Sequence, residues 1–437
     1  MKPRLLMIGG WTSIYRTAKS LGYDLTLVQQ ACKLAPDDYG LADQLITAEL
    51  EAPELCGMAA AIHAVRPFDV VLSFQEMGVL NAALIREQLQ IKGNPLPPVQ
   101  LTRDKARMRR HMREHGIESI PFIQSADLAQ LAQFGHAVGW PIIVKPTSGA
   151  GSCQIHQLSS PDGLAAAVAA IARDYPGLPP IAEKFICGRE ISVEAITWDG
   201  VHHVLAATDK ITTGAPHFVE TGHNLPAVLS PELTRRITAL TERFLTSIGH
   251  QYGPSHTEMI LGEDGPCIIE SHTRTGGDYI FQMVEQVCGV DMFEATLRGF
   301  LGAFPLPRGG TTGAAAVRYL TLRPGTVDSV TGLAEASAAP GVLRCDVTLA
   351  PGATVGEFTS SDERYGCVVA SGATRDEAVY NAETALATVQ VTVAAAPQPG
   401  GSASAPPAAL MADLAGRARA PYAAERLSRK FAPVCQH

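Results

Sequence analysis

The sequence predicts an α/β protein that begins with an open parallel sheet and continues into an α+β middle part. Over roughly the first 95 residues, apolar strand segments alternate with helical segments, which is typical of parallel α/β sheets. The strand segments are RLLMIGG (4–10), DLTLVQ (24–29) and FDVVLSF (68–74). The region up to about residue 300 is richer in strands, and the connection GEDGP between two of them predicts a hairpin.

The composition is that of a globular protein, with 46% apolar and 18% charged residues among 437. The net charge of −8 argues against nucleic acid or an anionic membrane as the main partner. Neither an export signal nor an apolar run of about 18 residues is found, so we expect a cytoplasmic protein without membrane contact. Nine scattered cysteines without a CxxC pair indicate reduced thiols, not a disulfide framework or a zinc ribbon.

The carboxyl ends of the N-terminal strands predict a ligand cleft, because open parallel sheets bind ligands there. Gly9, Gly10 and Glu76 lie at these ends. Glu76 is a candidate to hold a substrate ammonium group, and an ordinary surface acid is the alternative. The glycines in GGWTS do not form a dinucleotide fingerprint. The stretch GNPLPP (93–98) predicts a linker.

The segment WPIIVKPTSGAGSCQI (140–155) predicts a strand that delivers Lys145 and then a loop of small residues. The lysine precedes the glycines, so this is not a Walker A loop. Lys145 suits phosphate oxygens, and glycines allow backbone N–H groups to approach phosphates closely. The loop residues with this potential are Ser148, Gly149, Gly151 and Ser152. A hairpin turn with a solvated lysine is the alternative.

The segment IAEKFICGREISVEAI (181–196) predicts a strand that is interrupted by charge and resumes after a glycine turn. An interruption between Glu183 and Ile186 leaves backbone donors and acceptors free, as an adenine ring requires. Glu190, at the start of the second strand, is placed to accept hydrogen bonds from ribose hydroxyls. An ordinary polar hairpin is the alternative.

The segments HTEMIL and CIIESHTRTGGD (267–278) predict a paired charged surface. Glu270, His272 and Arg274 alternate along an extended strand and would share a face. A hairpin centred on Asp264 places Glu258 opposite Glu270. Opposed carboxylates destabilise a sheet unless a cation lies between them, and oxygen ligands with phosphates favour Mg²⁺ or Mn²⁺.

The same register places His256 opposite His272, which leaves a second interpretation open. Two histidines and two glutamates also fit a zinc or iron site. We prefer magnesium because the nearby segment 140–155 predicts phosphate binding. A third interpretation, satisfied core histidines, fits His256 better than His272.

Together these motifs resemble those of the ATP-grasp superfamily of carboxylate–amine ligases. The ordered set is Lys105 in RDKARMRR, Lys145 in VKPTSGAGS, EKFICGRE (183–190), and Glu258, Glu270 and Arg274 in the hairpin and TRTGGD. The resemblance implies an ATP-grasp fold with the nucleotide held between two antiparallel sheets. The expected domains are an N-terminal domain (1–95), a small subdomain (96–195), a large subdomain (196–310), a C-terminal α/β lobe (311–395) and a flexible linker with a short helical tail (396–437).

The resemblance also implies roles for individual residues. Lys105 and Lys145 correspond to the phosphate-binding lysines, and Glu190 to the ribose ligand. The adenine hinge corresponds to Glu183, Lys184, Phe185 and Ile186. The metal carboxylates correspond to Glu258 and Glu270, and His272 stands where many members have an asparagine ligand. Arg274, with backbone donors near Gly276 and Gly277, corresponds to the group that stabilises the acyl phosphate and the transition state.

The implied activity is that of the L-amino-acid ligases, which TRTGGDYI and the C-terminal segments resemble most. Such enzymes use ATP and Mg²⁺ (or Mn²⁺) to join a carboxylate to an amine through an acyl phosphate, and we expect a homodimer. Substrate contacts are expected in APHFVETGHNLPAVL (215–229), from His223 first and from His217 and Glu220 less strongly. Lys210 is within reach of phosphate or substrate. Activation of bicarbonate or formate, and nucleotide binding without catalysis, are the alternatives.

Overall fold

The structure is a computed structural model that describes residues 2–117, 120–149, 151, 153–307 and 309–395. Ser152 and the expected tail 396–437 lie outside the described residues. The described chain forms a parallel sheet, a small antiparallel sheet, a large antiparallel sheet and a three-stranded sheet. No described helix is both long enough and apolar enough to cross a bilayer.

The N-terminal domain is the predicted open parallel sheet, with strand order β3-β2-β1-β4. Its strands are β1 (Arg4–Ile8), β2 (Asp24–Gln29), β3 (Gln44–Thr47) and β4 (Val70–Leu72), and its helices are α1 (Thr12–Ser20), α2 (Asp38–Leu41), α3 (Glu54–Val65) and α4 (Glu76–Leu89). All five side chains of β1 are buried, which explains its continuous apolar run. The sequence pattern does not predict β3, an edge strand whose four residues all stay partly exposed.

The expected linker is instead the start of a helix. Helix α5 (Leu96–Thr102) begins within GNPLPP, and its prolines lie in the first turn, where no intrahelical N–H donor is needed. Helix α6 (Lys105–Glu114) follows, with Asp104 as an N-cap that accepts a hydrogen bond from the Arg107 backbone N–H. Lys105 is therefore the first residue of a capped helix.

The small subdomain is an antiparallel sheet with strand order β5-β8-β6-β7. Its strands are β5 (Phe122–Gln124), β6 (Ile142–Lys145), β7 (His156–Leu158) and β8 (Ile181–Lys184), and its helices are α7 (Leu128–Val138) and α8 (Leu164–Asp174). Strand β6 ends at Lys145, as predicted.

The large sheet has eight antiparallel strands in the order β13-β12-β9-β10-β11-β14-β18-β16. The strands of this region are β9 (Arg189–Trp198), β10 (Val201–Thr212), β11 (Glu220–Leu225), β12 (Tyr252–Gly262), β13 (Gly265–His272), β14 (Ala314–Tyr319), β15 (Gly325–Thr331), β16 (Val342–Val347), β17 (Thr354–Val355), β18 (Gly366–Gly372) and β19 (Gln390–Ala395). The helices are α9 (Pro231–Ile248), α10 (Ile280–Cys288), α11 (Met292–Phe300), α12 (Leu333–Ser337) and α13 (Arg375–Thr388). Helix α9 packs on one face of the sheet, and α10 and α11 pack on part of the other.

Two expected domain boundaries do not coincide with structural boundaries. The boundary at residue 195 falls inside β9, and β14, β18 and β16 of the C-terminal lobe continue the large sheet through the β11–β14 pairing. Strand pairing between distant segments overrides the local breaks from which the boundaries were inferred. The lobe adds a separate sheet only with β17-β15-β19.

The hairpin of β12 and β13 has the predicted pairing where it carries charge. The pairs are Glu258–Glu270 and His256–His272. Closer to the turn the register shifts by one residue, so that Gly262 pairs with Gly265 and the turn is Glu263–Asp264. The predicted pairs are therefore confirmed, although the hairpin is not centred on Asp264 throughout.

The shift is a β-bulge at Ile269. Ile268 pairs with Met259 and packs in the core on the α9 side, whereas Glu270 pairs with Glu258. In a regular strand, residues two apart share a face. The bulge thus turns Glu270 to the opposite face from Ile268, a common use of bulges beside active sites.

Candidate active site

One face of the large sheet carries a row of polar and charged residues across five strands. Glu270 pairs with Glu258, Glu258 with Ser192 on β9, and Lys210 on β10 with His223 on β11. Helices α10 and α11 cover the apolar part of this face. The charged part lies next to Lys105 and to the segment that follows β13.

Both predicted metal carboxylates are ionised and held by lysines. Lys210 Nζ lies 2.7 Å from Glu258 Oε2, and Lys105 Nζ lies 2.9 Å from Glu270 Oε1. Burial alone would raise the pKa of Glu258, but Lys210 and then His256 hold it well below its usual range. Burial would also raise the pKa of Glu270, but the positive charge of Lys105 and the contact with His272 outweigh the effect of burial and lower this pKa.

The donor set fits Mg²⁺ or Mn²⁺ with ligand oxygens better than zinc or iron. Among the described residues, no three His, Cys, Asp or Glu side chains converge as ligands of one ion. Both ring nitrogens of His256 are engaged by carboxylates, and His272 directs Nδ1 at Glu76. Two opposed carboxylates remain, and Mg²⁺ is typically held by one or two carboxylates plus phosphate oxygens and waters.

Glu183 has a different environment from the one the hinge prediction implies. Its side chain is 3% exposed and lies between two cations, with Arg109 Nε at 2.6 Å and Lys145 Nζ at 2.7 Å. Burial opposes ionisation, but Arg109 and Lys145 lower the pKa of Glu183 to about 2. Its carboxylate therefore holds Lys145 in place, and both of its oxygens are occupied by cations instead of being available to an adenine ring.

The rest of the predicted hinge is only partly free. Lys184 and Phe185 donate their backbone N–H groups to the carbonyls of Pro121 and Pro141, at 3.0 and 3.3 Å. The Ile186 N–H has no hydrogen-bond partner within the described part of the chain. The free donor that an adenine ring requires is therefore reduced to this position.

The loop of small residues is attached at both ends of the cleft. Gly149 accepts a hydrogen bond from Lys105 Nζ at 3.2 Å, and Gly151 accepts one from the backbone N–H of Ser361 in the C-terminal lobe at 3.2 Å. Gly149 and Gly151 have φ values of +121° and +75°, which favour glycine. Ser148 is half-buried in the same loop. The loop thus lies over the lysine side of the charged face.

Lys210 is the centre of a carboxylate cluster. Besides Glu258, its Nζ lies 3.5 Å from Glu220 and 4.0 Å from Glu190. Burial opposes the charge, but Glu258 and Glu220 raise the pKa of Lys210. Burial raises the pKa of Glu190, which Lys210 only partly offsets. Of the weaker candidates, Glu220 joins this cluster, whereas His217 is exposed.

Glu76 reaches the site, but not as a lone acid awaiting an ammonium group. Its carboxylate accepts hydrogen bonds from Arg274 Nε at 2.8 Å, His272 Nδ1 at 3.0 Å and Arg103 Nη1 at 3.0 Å. Burial would raise the pKa of Glu76, but Arg274 and then His272 hold it well below its usual range. The N-terminal domain therefore supplies the counter-charge that orients Arg274.

The substrate-loop candidate His223 lies beside the glycine segment. Its Nε2 lies 2.8 Å from Asp278, the residue after Gly277, and Arg364 of the C-terminal lobe binds both oxygens of Asp278 at 2.7 and 2.8 Å. Burial opposes, but Arg364 and then His223 lower the pKa of Asp278 well below its usual range. The end of the cleft is thus closed by three chain segments.

Several residues of the site were not singled out from the sequence. They are Arg103, Arg109, Glu194, Asp278 and Arg364. Glu194 could have been identified as a candidate from the sequence, because it is a single acid in the apolar run ISVEAITW. Arg364 could not have been identified in this way, because its partner Asp278 lies 86 residues away in the sequence.

Comparison with known families matches three parts of the chain. Residues 15–93 match the ATP-grasp N-terminal domain, residues 138–282 the ATP-grasp domain, and residues 318–394 the L-amino acid ligase C-terminal domain 2. The matches cover parts of the N-terminal domain, the small subdomain, the large sheet and the C-terminal lobe, and residues 94–137 and 283–317 lie outside them.

Individual relatives are distant. An L-arginine-specific L-amino acid ligase of Bacillus subtilis is 24% identical over 303 residues, 68% of this chain and 73% of that protein. The alanine–anticapsin ligase of Bacillus subtilis (strain 168) is 26% identical over 253 residues, 52% of this chain and about half (53%) of that protein's length.

The fold agrees with these matches. A solved L-amino acid ligase from Bacillus licheniformis superposes with a TM-score of 0.79 over 90% of this chain and 99% of that chain, at 21% identity. The predicted ATP-grasp fold, with its parallel N-terminal sheet and antiparallel sheets, is confirmed. The chain belongs to the ATP-grasp carboxylate–amine ligases and is most like the L-amino-acid ligases.

Proposed function

We propose that the protein joins the carboxylate of one amino acid to the amine of a second, using ATP and releasing ADP and phosphate. The observation that carries the proposal is the charged face itself. Two carboxylates, Glu258 and Glu270, oppose each other, and Lys105 contacts Glu270. His272 lies between Glu270 and Glu76, and Glu76 in turn binds Arg274. Phosphate binding and acyl transfer therefore have their groups on adjacent parts of one surface.

The nucleotide is held by the small subdomain and the facing sheet. Lys105 and Lys145 bind phosphate oxygens, together with backbone N–H groups of the loop that contains Gly149 and Gly151. The Ile186 N–H is the donor to adenine, and Glu190 accepts from the ribose. Ser148 adds a hydroxyl donor, and Ser152 stays a prediction outside the described residues.

Glu258 and Glu270 would hold Mg²⁺ or Mn²⁺, which neutralises phosphate charge during phosphoryl transfer when bound. Their ionised state supports this assignment. His272 is excluded from our proposed ligand set because its Nδ1 is engaged by Glu76 and its Nε2 lies 3.5 Å from Glu270. The role proposed for His272 is to connect the carboxylates of Glu76 and Glu270.

The chemistry has two steps. An oxygen of the substrate carboxylate attacks the γ-phosphorus of ATP, the bond to the β-phosphate oxygen breaks, and an acyl phosphate and ADP form. The neutral amine of the second amino acid then attacks the acyl carbon, the carbon–oxygen bond to phosphate breaks, and one amine proton is lost to a base or to water. Amide and phosphate are the products.

Arg274 stabilises the charge that develops in both steps. Its Nε and Nη1 donate to Glu76 and to the Thr275 carbonyl, and its Nη2 has no hydrogen-bond partner among the residues described. That nitrogen, with backbone N–H groups near Gly276 and Gly277, is available to an oxyanion or departing phosphate. Glu76 therefore acts by orienting Arg274, which replaces the ammonium-binding role first expected for it.

The substrate end of the site is proposed to include His223 and Asp278. His223 is buried, Asp278 is half-buried, and their polar atoms bind each other. Water must be kept from the acyl phosphate, and Gly151 of the small-residue loop, bonded to Ser361 of the C-terminal lobe, supports a cover over this end. A homodimer, as in the initial expectation, is testable by light scattering of the purified protein.

The test is a phosphate-release screen over all pairs of natural amino acids with ATP and Mg²⁺, with mass spectrometry of the products. We expect phosphate release that requires both amino acids and yields a dipeptide. Release with bicarbonate or formate alone would instead support the alternative ATP-grasp activity. ATP binding without phosphate release under any condition would contradict both.

A further inference from the structure

We propose that Glu194 and His256 form a positioning pair that holds the metal carboxylate Glu258 and the glycine segment at Gly276 in their working places. The pair lies on the same face of the sheet as Glu258, on β9 and β12, and touches both Glu258 and the glycine segment. The inference rests on the metal-binding role proposed above for Glu258. Neither residue is assigned to contact substrate or nucleotide.

The two residues form a chain of short contacts that ends at Glu258. His256 Nδ1 lies 2.6 Å from Glu194 Oε1, and His256 Nε2 lies 3.2 Å from Glu258 Oε1. Ser192 donates its hydroxyl to the same Glu194 oxygen at 3.0 Å. Because each ring nitrogen faces a carboxylate oxygen, both bonds form only when both nitrogens carry protons.

These contacts restrain the rotation of the Glu258 carboxylate. One of its oxygens is bound by His256 and the other by Lys210 at 2.7 Å. The plane of the carboxylate is therefore set from two sides by groups on β12 and β10. Partners of this kind orient a metal ligand without touching the metal.

The burial of Glu194 requires a reason. Its side chain is 0% exposed, and its Oε2 has no hydrogen-bond partner among the described residues. A buried carboxylate is costly unless it is paired. An uncharged residue would fill this place in the strand without that cost, so the carboxylate points to a task, namely to fix the ring of His256 through the 2.6 Å contact with its Nδ1.

The same pair determines how closely the backbone at Gly276 approaches the large sheet. A Cβ atom on Gly276 would lie 2.7 Å from His256 Nδ1 and 3.2 Å from Glu194 Oε2, whereas one on Gly277 would meet nothing within 4 Å. Gly276 is thus required by close approach to the pair and not by its backbone angle. Movement of His256 would shift the backbone donors near Gly276 as well as Glu258.

The experiment measures metal binding apart from turnover. Mn²⁺ affinity is followed by electron paramagnetic resonance, and ATP affinity by calorimetry with Mn²⁺ and with EDTA. The variants are Glu194→Gln, His256→Gln, the double variant and Glu258→Gln, each checked for folding by circular dichroism. The control is His250→Gln, since His250 is also buried but, within the described part of the chain, its ring forms a hydrogen bond only with the Gly253 carbonyl.

We expect each single variant of the pair to lose Mn²⁺ affinity by about 10- to 100-fold, with ATP affinity in EDTA unchanged. The double variant should lose no more than the worse single variant, because the two residues act through one chain. If His256→Gln leaves Glu194 unpaired and the protein does not fold, Glu194→Gln, which is isosteric and neutral, carries the test alone.

Two outcomes would overturn different statements. If Glu258→Gln abolishes Mn²⁺ binding but Glu194→Gln behaves as His250→Gln does, the positioning role is wrong and the proposed metal site stands. If Glu258→Gln itself leaves Mn²⁺ affinity unchanged, the metal site proposed for Glu258 is wrong, and the inference falls with it.

Discussion

At the residue scale, buried acids of the site are paired with cations before any ligand arrives. Glu183 shows this most clearly, because Arg109 and Lys145 bind its two oxygens and its side chain is 3% exposed. Such a pair adds little net stability compared with an apolar core, but removing one partner leaves an uncompensated buried charge. The consequence is that Lys145, which we propose to bind the nucleotide, is held in place before a ligand binds.

Glu183→Gln is therefore expected to destabilise the protein by about 3–5 kcal/mol, since two buried cations lose their partner. Chemical denaturation followed by circular dichroism measures this change. The control is Glu232→Gln, which removes an exposed pair with Arg235 and should cost less than about 1 kcal/mol. Equal effects of the two substitutions would contradict the pairing argument.

The same carboxylate predicts a pH dependence of stability. The pKa of Glu183 is about 2 in the folded protein against an ordinary 4.5, so its stabilising contribution is complete above pH 4.5 and is lost as the pH falls towards 2. The contribution is about 3 kcal/mol. The melting temperature of the wild type should fall more steeply below pH 4.5 than that of Glu183→Gln. Parallel curves for the two proteins would show that Glu183 is not the group responsible.

Arg274 allows a separation of binding from chemistry. We expect Arg274→Ala to retain ATP affinity, because the phosphate lysines Lys105 and Lys145 are unchanged, and to lose amide formation by about 10²- to 10³-fold. Calorimetry and product analysis measure the two quantities. Glu270→Gln should abolish turnover altogether. A large loss of ATP affinity in Arg274→Ala would assign the arginine to the nucleotide instead.

At the element scale, the bulge in β13 brings Glu270, the second of the proposed metal carboxylates, to the site. Arg109 of α6 binds both carbonyls at this bulge, with Nη1 3.0 Å from Ile268 O and Nη2 2.8 Å from Ile269 O. Its Nε is bonded to Glu183. One guanidinium therefore links the position of Lys145, through Glu183, to that of Glu270.

Arg109→Lys is expected to be poorly tolerated although it conserves the charge. A lysine has no planar fork and does not reach three acceptors in different directions. We expect a loss of stability of about 2 kcal/mol and a lower kcat, measured by denaturation and steady-state kinetics. Arg107→Lys is the matched control, since Arg107 lies on the same helix and is 60% exposed. Wild-type behaviour of Arg109→Lys would refute the proposed link.

The hairpin also shows how far sequence reasoning extends. The pairing of Glu258 with Glu270 follows from local spacing and the cost of opposing like charges, and the structure confirms it. The bulge at Ile269 was not predictable, because its carbonyls are bound by a side chain from about 160 residues earlier. The partners of Glu76 are likewise 196 and 198 residues away. Local patterns predict elements and pairs, whereas the ion pairs that modify their roles depend on the assembled fold.

At the scale of the whole molecule, the site is assembled from three regions of the chain. The N-terminal domain contributes Glu76, the ATP-grasp region contributes the charged face, and the C-terminal lobe contributes Ser361 and Arg364. Ser361 bonds to Gly151 through its backbone and to Glu220 through its hydroxyl at 2.7 Å, while Arg364 binds Asp278. The C-terminal lobe therefore joins the loop that we propose to cover the nucleotide to the proposed substrate end of the cleft.

Arg364→Ala tests this coupling. Without the guanidinium, Asp278 loses its bidentate partner, and the cover over the acyl phosphate should open more often to water. We expect ATP hydrolysis to continue while the amide formed per ATP consumed falls, and hydrogen exchange of residues 146–149 to accelerate. Arg323→Ala, an exposed arginine of the same lobe, is the control and should keep the wild-type ratio. A proportional loss of hydrolysis and amide formation, with unchanged exchange, would mean that Arg364 supports the fold of the lobe and not the closure of the site.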